Sequence, residues 1–287
     1  MEEKLLKRRF LTAAVLVAVA AALLFGGVAT YAWFTSNQRV STSRIETRTG
    51  DEEVELLVSS TGGADFKGAS EAAITQINKA NAEYLMPVST ADLTTFVTPT
   101  ARDESGYPVS YAVMTEEANY YHGRVWLRAN ARGAAAGSQM ALYLDETAAA
   151  GGILAKKSDD NSLLLNAARL GLALESGERV IFRLSEETNA ENARQRNTTL
   201  NGVLQEEGIV LDGSGSAIVA VNDPAVPISS RALQEGGSLG APLGYLELGK
   251  IYALDVYFYL EGCDPDCWDS IYFDAADLHL AFYGVVS

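Results

Sequence analysis

From Tyr120 onward the chain is dominated by short stretches in which apolar and polar positions alternate. Residues 121–130 place Val125 and Leu127 on one side and Arg124, Trp126 and Arg128 on the other. A period of two is that of a strand with one buried face. Residues 139–144 have the same character and are expected to pair with 121–130 as a hairpin across a Gly-Ala loop. Residues 163–174 have a helical composition. They run into a Ser-Gly turn at 175–178 and a second apolar stretch at 179–184, so the half nearest the turn is read as one arm of a hairpin. Further strands are expected at 54–58, 209–211, 217–221, 244–248, 251–260 and 278–286. One short helix is expected over 69–84, from the helical spacing of Ala72, Ala73, Ile74, Ile77, Ala80 and Tyr84, and it should end before Pro87. Residues 186–208 are polar and read as an insertion or loop.

No repeat of solenoid period and no long linker divides the chain. The expected fold is therefore mainly β. It is a β-sandwich of jelly-roll-like topology over 54–287, with one or two short helices in the connections. Residues 33–53 are polar and rich in Ser, Thr and Arg. Val40, Thr42, Ile45 and Thr47 favour extended structure, but they offer too little apolar area for a core of their own. This segment is read as an extended N-terminal arm.

Residues 1–32 have a different pattern. Lys4, Lys7, Arg8 and Arg9 precede an uncharged apolar run over 11–28, and Thr30-Tyr31-Ala32 follows. A positive start, an apolar helix and small residues before the cut describe an export signal. The run approaches spanning length, so a permanent membrane anchor is the competing reading. The absence of any acid from Phe10 to Gln38 argues against a type IV pilin leader.

Composition is that of a globular chain, 48% hydrophobic and 21% charged over 287 residues, with a formal net charge of −15. Such a surface repels phosphate backbones, so no nucleic-acid partner is expected, and contact with a membrane is expected only through an uncleaved leader. The two cysteines, Cys263 and Cys267, are too few for a disulfide framework or a zinc site. Whether they pair with each other across so small a loop is left open by the sequence.

Candidate chemistry is sparse. In 257–269 (YFYLEGCDPDCWD), Asp264, Asp266 and Asp269 are hard oxygen donors suited to calcium, but they lack the sixth-position glycine and closing glutamate of an EF-hand. A charged turn held by its own aspartates is the simpler reading. His122 and His279 sit on expected strands. Gly236-Gly237-Ser238-Leu239-Gly240 has Gly-x-Ser-x-Gly spacing, but it lacks the strand-loop-helix context of a nucleophile elbow and the lysine of a phosphate-cradling loop. No catalytic, cofactor or metal residue is assigned, and no enzyme is expected. Trp126, Tyr120, Tyr121, Tyr257 and Tyr259 form a possible sugar-binding face, against the default of aromatic packing in the interior.

Residues 29–35, Ala-Thr-Tyr-Ala-Trp-Phe-Thr, resemble the end of leaders cut by the dedicated signal peptidase SipW, which serve the TasA and camelysin group of matrix proteins. The resemblance implies cleavage between Ala32 and Trp33. Leu260-Glu261-Gly262 with Asp264, Asp266 and Cys267 resembles a late turn of SipW-leader proteins, from which Cys263 departs. Residues 85–90 (LMPVST) resemble a recurring Pro-x-Ser-Thr segment of the same proteins. The resemblance implies a secreted, cell-surface structural protein of a Gram-positive-type bacterium. It would be a matrix or pilus-like fibre subunit whose partners are copies of itself. Residues 33–53 would add as a strand to a neighbour's sheet, and deleting 33–48 should leave a folded monomer. The alternative is a monomeric adhesin or glycan-binding module. No sorting motif for covalent attachment to the wall is seen at the end of the sequence.

Overall fold

A computed structural model describes residues 39–49, 54–68, 70–78, 85–102, 108–114, 119–131, 139–147, 154–157, 164–185, 199–200, 203–204, 209–211, 217–220, 225–262, 264, 267 and 275–286. The expected leader, with the Ala32–Trp33 bond, lies outside the described residues, as do Cys263, Asp266 and Asp269.

The described chain is mainly β. The first strands are β1 (Arg39–Thr49), β2 (Val54–Ser59), β3 (Glu71–Ala72), β4 (Thr75–Gln76), β5 (Pro87–Val88), β6 (Val97–Arg102) and β7 (Pro108–Val113). There follow β8 (Tyr121–Ala131), β9 (Gln139–Asp145), β10 (Leu154–Lys157), β11 (Ala168–Leu174), β12 (Arg179–Arg183), β13 (Thr199–Leu200) and β14 (Val203–Leu204). The last are β15 (Ile209–Leu211), β16 (Ala217–Ala220), β17 (Val226–Pro227), β18 (Ala232–Leu233), β19 (Gly244–Glu247), β20 (Ile251–Glu261) and β21 (Ala275–Val286). One helical turn, Leu164–Ala167, leads into β11.

Two open sheets carry the fold. The first runs β18-β9-β21-β1-β3, with β19 also on β9 and β10 also on β21. The second runs β17-β12-β11-β20-β8-β2, with β4 on β8 and β5 on β20. Their facing sides share one core, in which Met140, Leu142, Leu144, Leu280 and Phe282 of the first sheet meet Val58, Val125, Leu127, Leu170, Val256 and Phe258 of the second. Burying each large apolar side chain contributes about 1.5–3 kcal/mol. This is the layering of a β-sandwich.

The alternation read from 121–130 holds, since Val125, Leu127 and Ala129 are buried and Arg124, Trp126 and Arg128 less so. The 163–184 reading also holds: β11 pairs antiparallel with β12 from Arg169↔Arg183 to Ala173↔Arg179. Two local expectations are corrected. Strands β8 and β9 do not pair with each other. β8 pairs with β20 and β2 in one sheet, and β9 pairs with β21 and β19 in the other. Both strands are apolar enough to be central, so each is claimed by a long partner, and the two lie in different sheets.

The helix expected over 69–84 is absent from its described part. Glu71–Ala72 pairs with β1 and Thr75–Gln76 with β8. Ile74 faces the core while Ile77 is 43% exposed. Open main-chain partners on both sheets outweigh a weak helical period in a stretch with β-branched residues. Residues 79–84 lie outside the described residues.

The arm is also not free in this chain. β1 lies parallel to β21 over Arg39↔Ala275 to Thr49↔Gly284, with a register shift between Thr42 and Arg44. On its other side, among the described residues, Ile45 and Glu46 pair with β3 and the Thr47 N–H reaches Ser70 O. Val40 and Thr42 stand opposite Ala276 and Leu278, and Ile45 and Thr47 opposite Leu280 and Phe282. The shift thus carries an even-numbered apolar series onto an odd-numbered one while keeping both in register with the apolar positions of β21.

Candidate functional site

Three groupings gather the residues singled out from the sequence. The first is where β5 meets the end of β20. The pairs Leu260↔Pro87 and Glu261↔Val88 join the segment 85–90 to the segment 260–262. The Ser89 hydroxyl donates to the Glu261 carboxylate, and the Gly262 N–H donates to the Val88 carbonyl at 2.8 Å. A side chain at Gly262 would crowd Ser89 Oγ at 3.1 Å and Pro99 Cδ at 3.0 Å, so glycine lets the two segments approach without displacing either. Beyond it, Asp264 N–H donates to Glu261 O and Cys267 N–H to Asp264 O, both at 3.0 Å, which makes two successive tight turns.

Asp264 does not reach outward from these turns. Its Oδ2 accepts from Arg169 Nη2 at 3.0 Å, and both side chains are 0% exposed. The guanidinium is further held by Asn166 O at 2.7 Å and Ala168 O at 3.0 Å, so most of its donor fork is met inside the protein. Of the three aspartates considered for calcium, the one described is thus committed to an internal ion pair. Arg169 is invisible to motif reading, because an arginine in ARLGLAL resembles an exposed strand residue. Its odd-numbered place, off the even positions that fill the core, points the same way and gives no hint of burial.

The second grouping lies further along the same face of the β8–β20 sheet, the face turned away from the main core. Arg124 holds Asp255 by two hydrogen bonds, Nε to Oδ1 at 2.6 Å and Nη2 to Oδ2 at 2.9 Å. His122 Nε2 stands 3.4 Å from Asp255 Oδ1, and its ring stacks on Tyr257 with centroids 4.1 Å apart. Burial works against the charge on Asp255. The two hydrogen bonds and the charge of Arg124, with the His122 ring alongside, outweigh it and hold the carboxyl below its ordinary value.

Of the aromatic residues considered for sugar binding, the four tyrosines are turned inward and Trp126 is half-buried on the side of β8 away from the main core. Tyr121 belongs to the main core, whereas Tyr120, Tyr257 and Tyr259 pack with Phe96, Leu93 and Val88 in a second, smaller one. Phe96 stacks on Tyr120 at 3.9 Å and meets Tyr259 edge-on at 5.8 Å. Trp126 lies beneath Gly62, where a Cβ would come within 3.0 Å of its ring. Interior packing, the default for strand aromatics, accounts for them. His279 sits on β21 opposite Leu154 of β10. Among the described residues, no group of three or more His, Cys, Asp or Glu is placed to hold a metal ion.

The third grouping is β1 and the groove that receives it. One wall is the β21 main chain. The other is β2, whose carbonyls accept from threonine hydroxyls of β1: Thr47 Oγ1 to Leu56 O and Thr49 Oγ1 to Val54 O, each at 2.9 Å. The Thr47 N–H donates to Ser70 O at 2.9 Å. β1 therefore belongs to one sheet by its backbone and reaches the edge of the other by its side chains. It carries Arg39, Arg44 and Arg48 against Glu46 alone, in a chain of net charge −15.

Comparison with family models, with curated proteins and with solved structures finds no match to this chain.

Proposed function

We propose that this is a secreted cell-surface structural protein, a subunit of an extracellular matrix or pilus-like fibre, assembled head to tail by exchange of β1 between copies. The observation that carries the reading is the one-sided hold on β1. Its backbone is paired along its length with β21, and on the other side, among the described residues, only over Ile45 to Thr47, against β3 and Ser70. Such a strand can leave its own groove and be replaced by the same strand of a neighbour, with every hydrogen bond reproduced. Exchange in one direction repeats as a filament. The basic β1 and the acidic chain favour that encounter. The leader resemblance at 29–35 supports export, with SipW-type cleavage after Ala32, and leaves β1 near the new N-terminus.

A jelly-roll-like topology belongs to the same reading. It is supported by the pairing of β8 with β20 and of β9 with β19, as in one long hairpin folded across both sheets. The inward-facing aromatics and the committed Asp264 give no comparable support to a glycan or calcium site, and the reading assigns no enzymatic step.

The test uses the register partners Arg48 and Tyr283. In the Arg48→Cys, Tyr283→Cys chain, cross-linking the monomer should give an intrachain product. Cross-linking after concentration should give a ladder of covalent oligomers, with filaments visible by negative-stain microscopy. Intrachain product alone, with no filaments at any concentration, would leave the chain a monomer and sink the proposal.

A further inference from the structure

We infer that Thr47 and Thr49 are the residues by which the groove recognises the strand of a second copy and sets its register. This deepens the strand-exchange reading and rests on it. A main-chain ladder of the β1–β21 kind is indifferent to sequence, because any extended segment presents the same N–H and C=O groups. The opposite wall is different. β2 spends one edge on β8 over Val54↔Ala131 to Ser59↔Trp126, and the carbonyls of Leu56 and Val54 face side-chain donors, Thr47 Oγ1 and Thr49 Oγ1, each at 2.9 Å; Ser70 O is a longer second acceptor for Thr47 at 3.2 Å.

The two hydroxyls are two residues apart on β1, and the two carbonyls two apart on β2, in opposite order. That spacing is the strand period, so both hydroxyls stand on one side of β1. A slip of one residue would bring Glu46 and Arg48 to the carbonyls, and a slip of two would bring Ile45 to one of them. Either slip removes a donor from a carbonyl at the seam, where Thr47 is only 5% exposed. The partner that fits is an extended, net-basic strand with threonines at alternate positions, which β1 of another copy supplies. Charge favours the same partner, since the arginines of β1 meet an acidic chain.

The experiment uses the full chain and three fluorescent synthetic peptides spanning 38–50. One has the native sequence, one carries Thr47→Val and Thr49→Val, and one carries Thr47→Ser and Thr49→Ser. Valine keeps the shape and strand preference but cannot donate, whereas serine keeps the donor. Each lost hydroxyl should weaken uptake about tenfold. The native and serine peptides should enter the chain and stop its elongation, and the valine peptide, lacking both hydroxyls, should do so about a hundredfold less well. A full chain carrying Thr47→Val and Thr49→Val should take up native peptide faster than the unaltered chain, because its own strand competes less well. Equal uptake of native and valine peptides would overturn the role of the hydroxyls while leaving strand exchange standing. Uptake of none of the three would overturn strand exchange itself, and this inference with it.

Discussion

The Ser89 hydroxyl donates to the Glu261 carboxylate inside the protein, 172 positions away in sequence. Both residues are buried. The two sequence segments that resemble one family, 85–90 and 260–262, are thus halves of a single contact. Within it, β5 lies parallel to the end of β20 and Gly262 makes room for Ser89 Oγ. A buried carboxylate loses heavily when a donor is withdrawn, because no water replaces it. Ser89→Ala should therefore lower stability by about 1–3 kcal/mol. It should appear in urea unfolding as a lower midpoint at unchanged slope. An unchanged midpoint would mean that Glu261 is satisfied without Ser89.

A second internal pair sits close by in the chain. Asp264 and Arg169 are fully enclosed, and removing one partner of such a pair typically costs about 3–5 kcal/mol, because the other charge stays buried alone. Asp264→Ala should therefore destabilise strongly, and by the same amount with calcium as with chelator. The double replacement Arg169→Met, Asp264→Leu should recover most of the loss, since it leaves no orphaned charge. Thermal melts of the three chains with and without millimolar calcium decide this. A calcium-dependent gain that vanishes in Asp264→Ala would show that the aspartate serves a cation instead.

Asp255 makes a prediction about acid. Its carboxyl is held below its ordinary value in the folded chain, so its contribution to stability is complete above the unfolded aspartate range of about 3.9. The contribution declines as pH falls from there towards the folded value, and is gone below it. The stability gap between the unaltered chain and Asp255→Asn should be constant from neutrality to about pH 5 and close in more acid solution. A gap that closed well above about pH 5 would mean that the carboxyl is not held below its ordinary value.

Strand content was readable because alternation reports a half-buried pleat directly, as in Val125, Leu127 and Arg128 on β8. Partner choice was not readable. β8 and β9 look like neighbours in sequence, yet each is taken by a strand from the far end of the chain. Nothing local distinguishes a hairpin arm from a strand that crosses the sandwich. The segment 71–76 failed for a related reason, since its periodicity was real but weaker than the open edges of β1 and β8. Among the groupings around the candidate site, the inward turn of the tyrosines followed from their place on strands. The Arg169–Asp264 pair joins residues 95 positions apart, and neither of the two segments announces it.

The last prediction concerns the chain without residues 33–48. From the sequence alone this segment is an unburied arm whose loss should cost little. The structure instead gives β21 a partner along Arg39–Thr49 and gives Leu56 O its donor from Thr47. Deletion leaves β21 held by β9 and β10 on one side and bare on the other. The core between the sheets keeps most of its residues, so the truncated chain should fold, but with a lower melting temperature and an exposed edge prone to association. Under strand exchange it can accept a neighbour's strand and cannot donate one. Added in small amounts to the full chain, it should cap growing filaments and shorten them in proportion to its fraction. Circular dichroism first establishes that it is folded. If it proves unfolded, Val40→Pro serves in its place, weakening β1 by removing one main-chain donor while the rest of the strand remains. Filaments from the truncated chain alone, identical to those of the full chain, would rule out donation by β1.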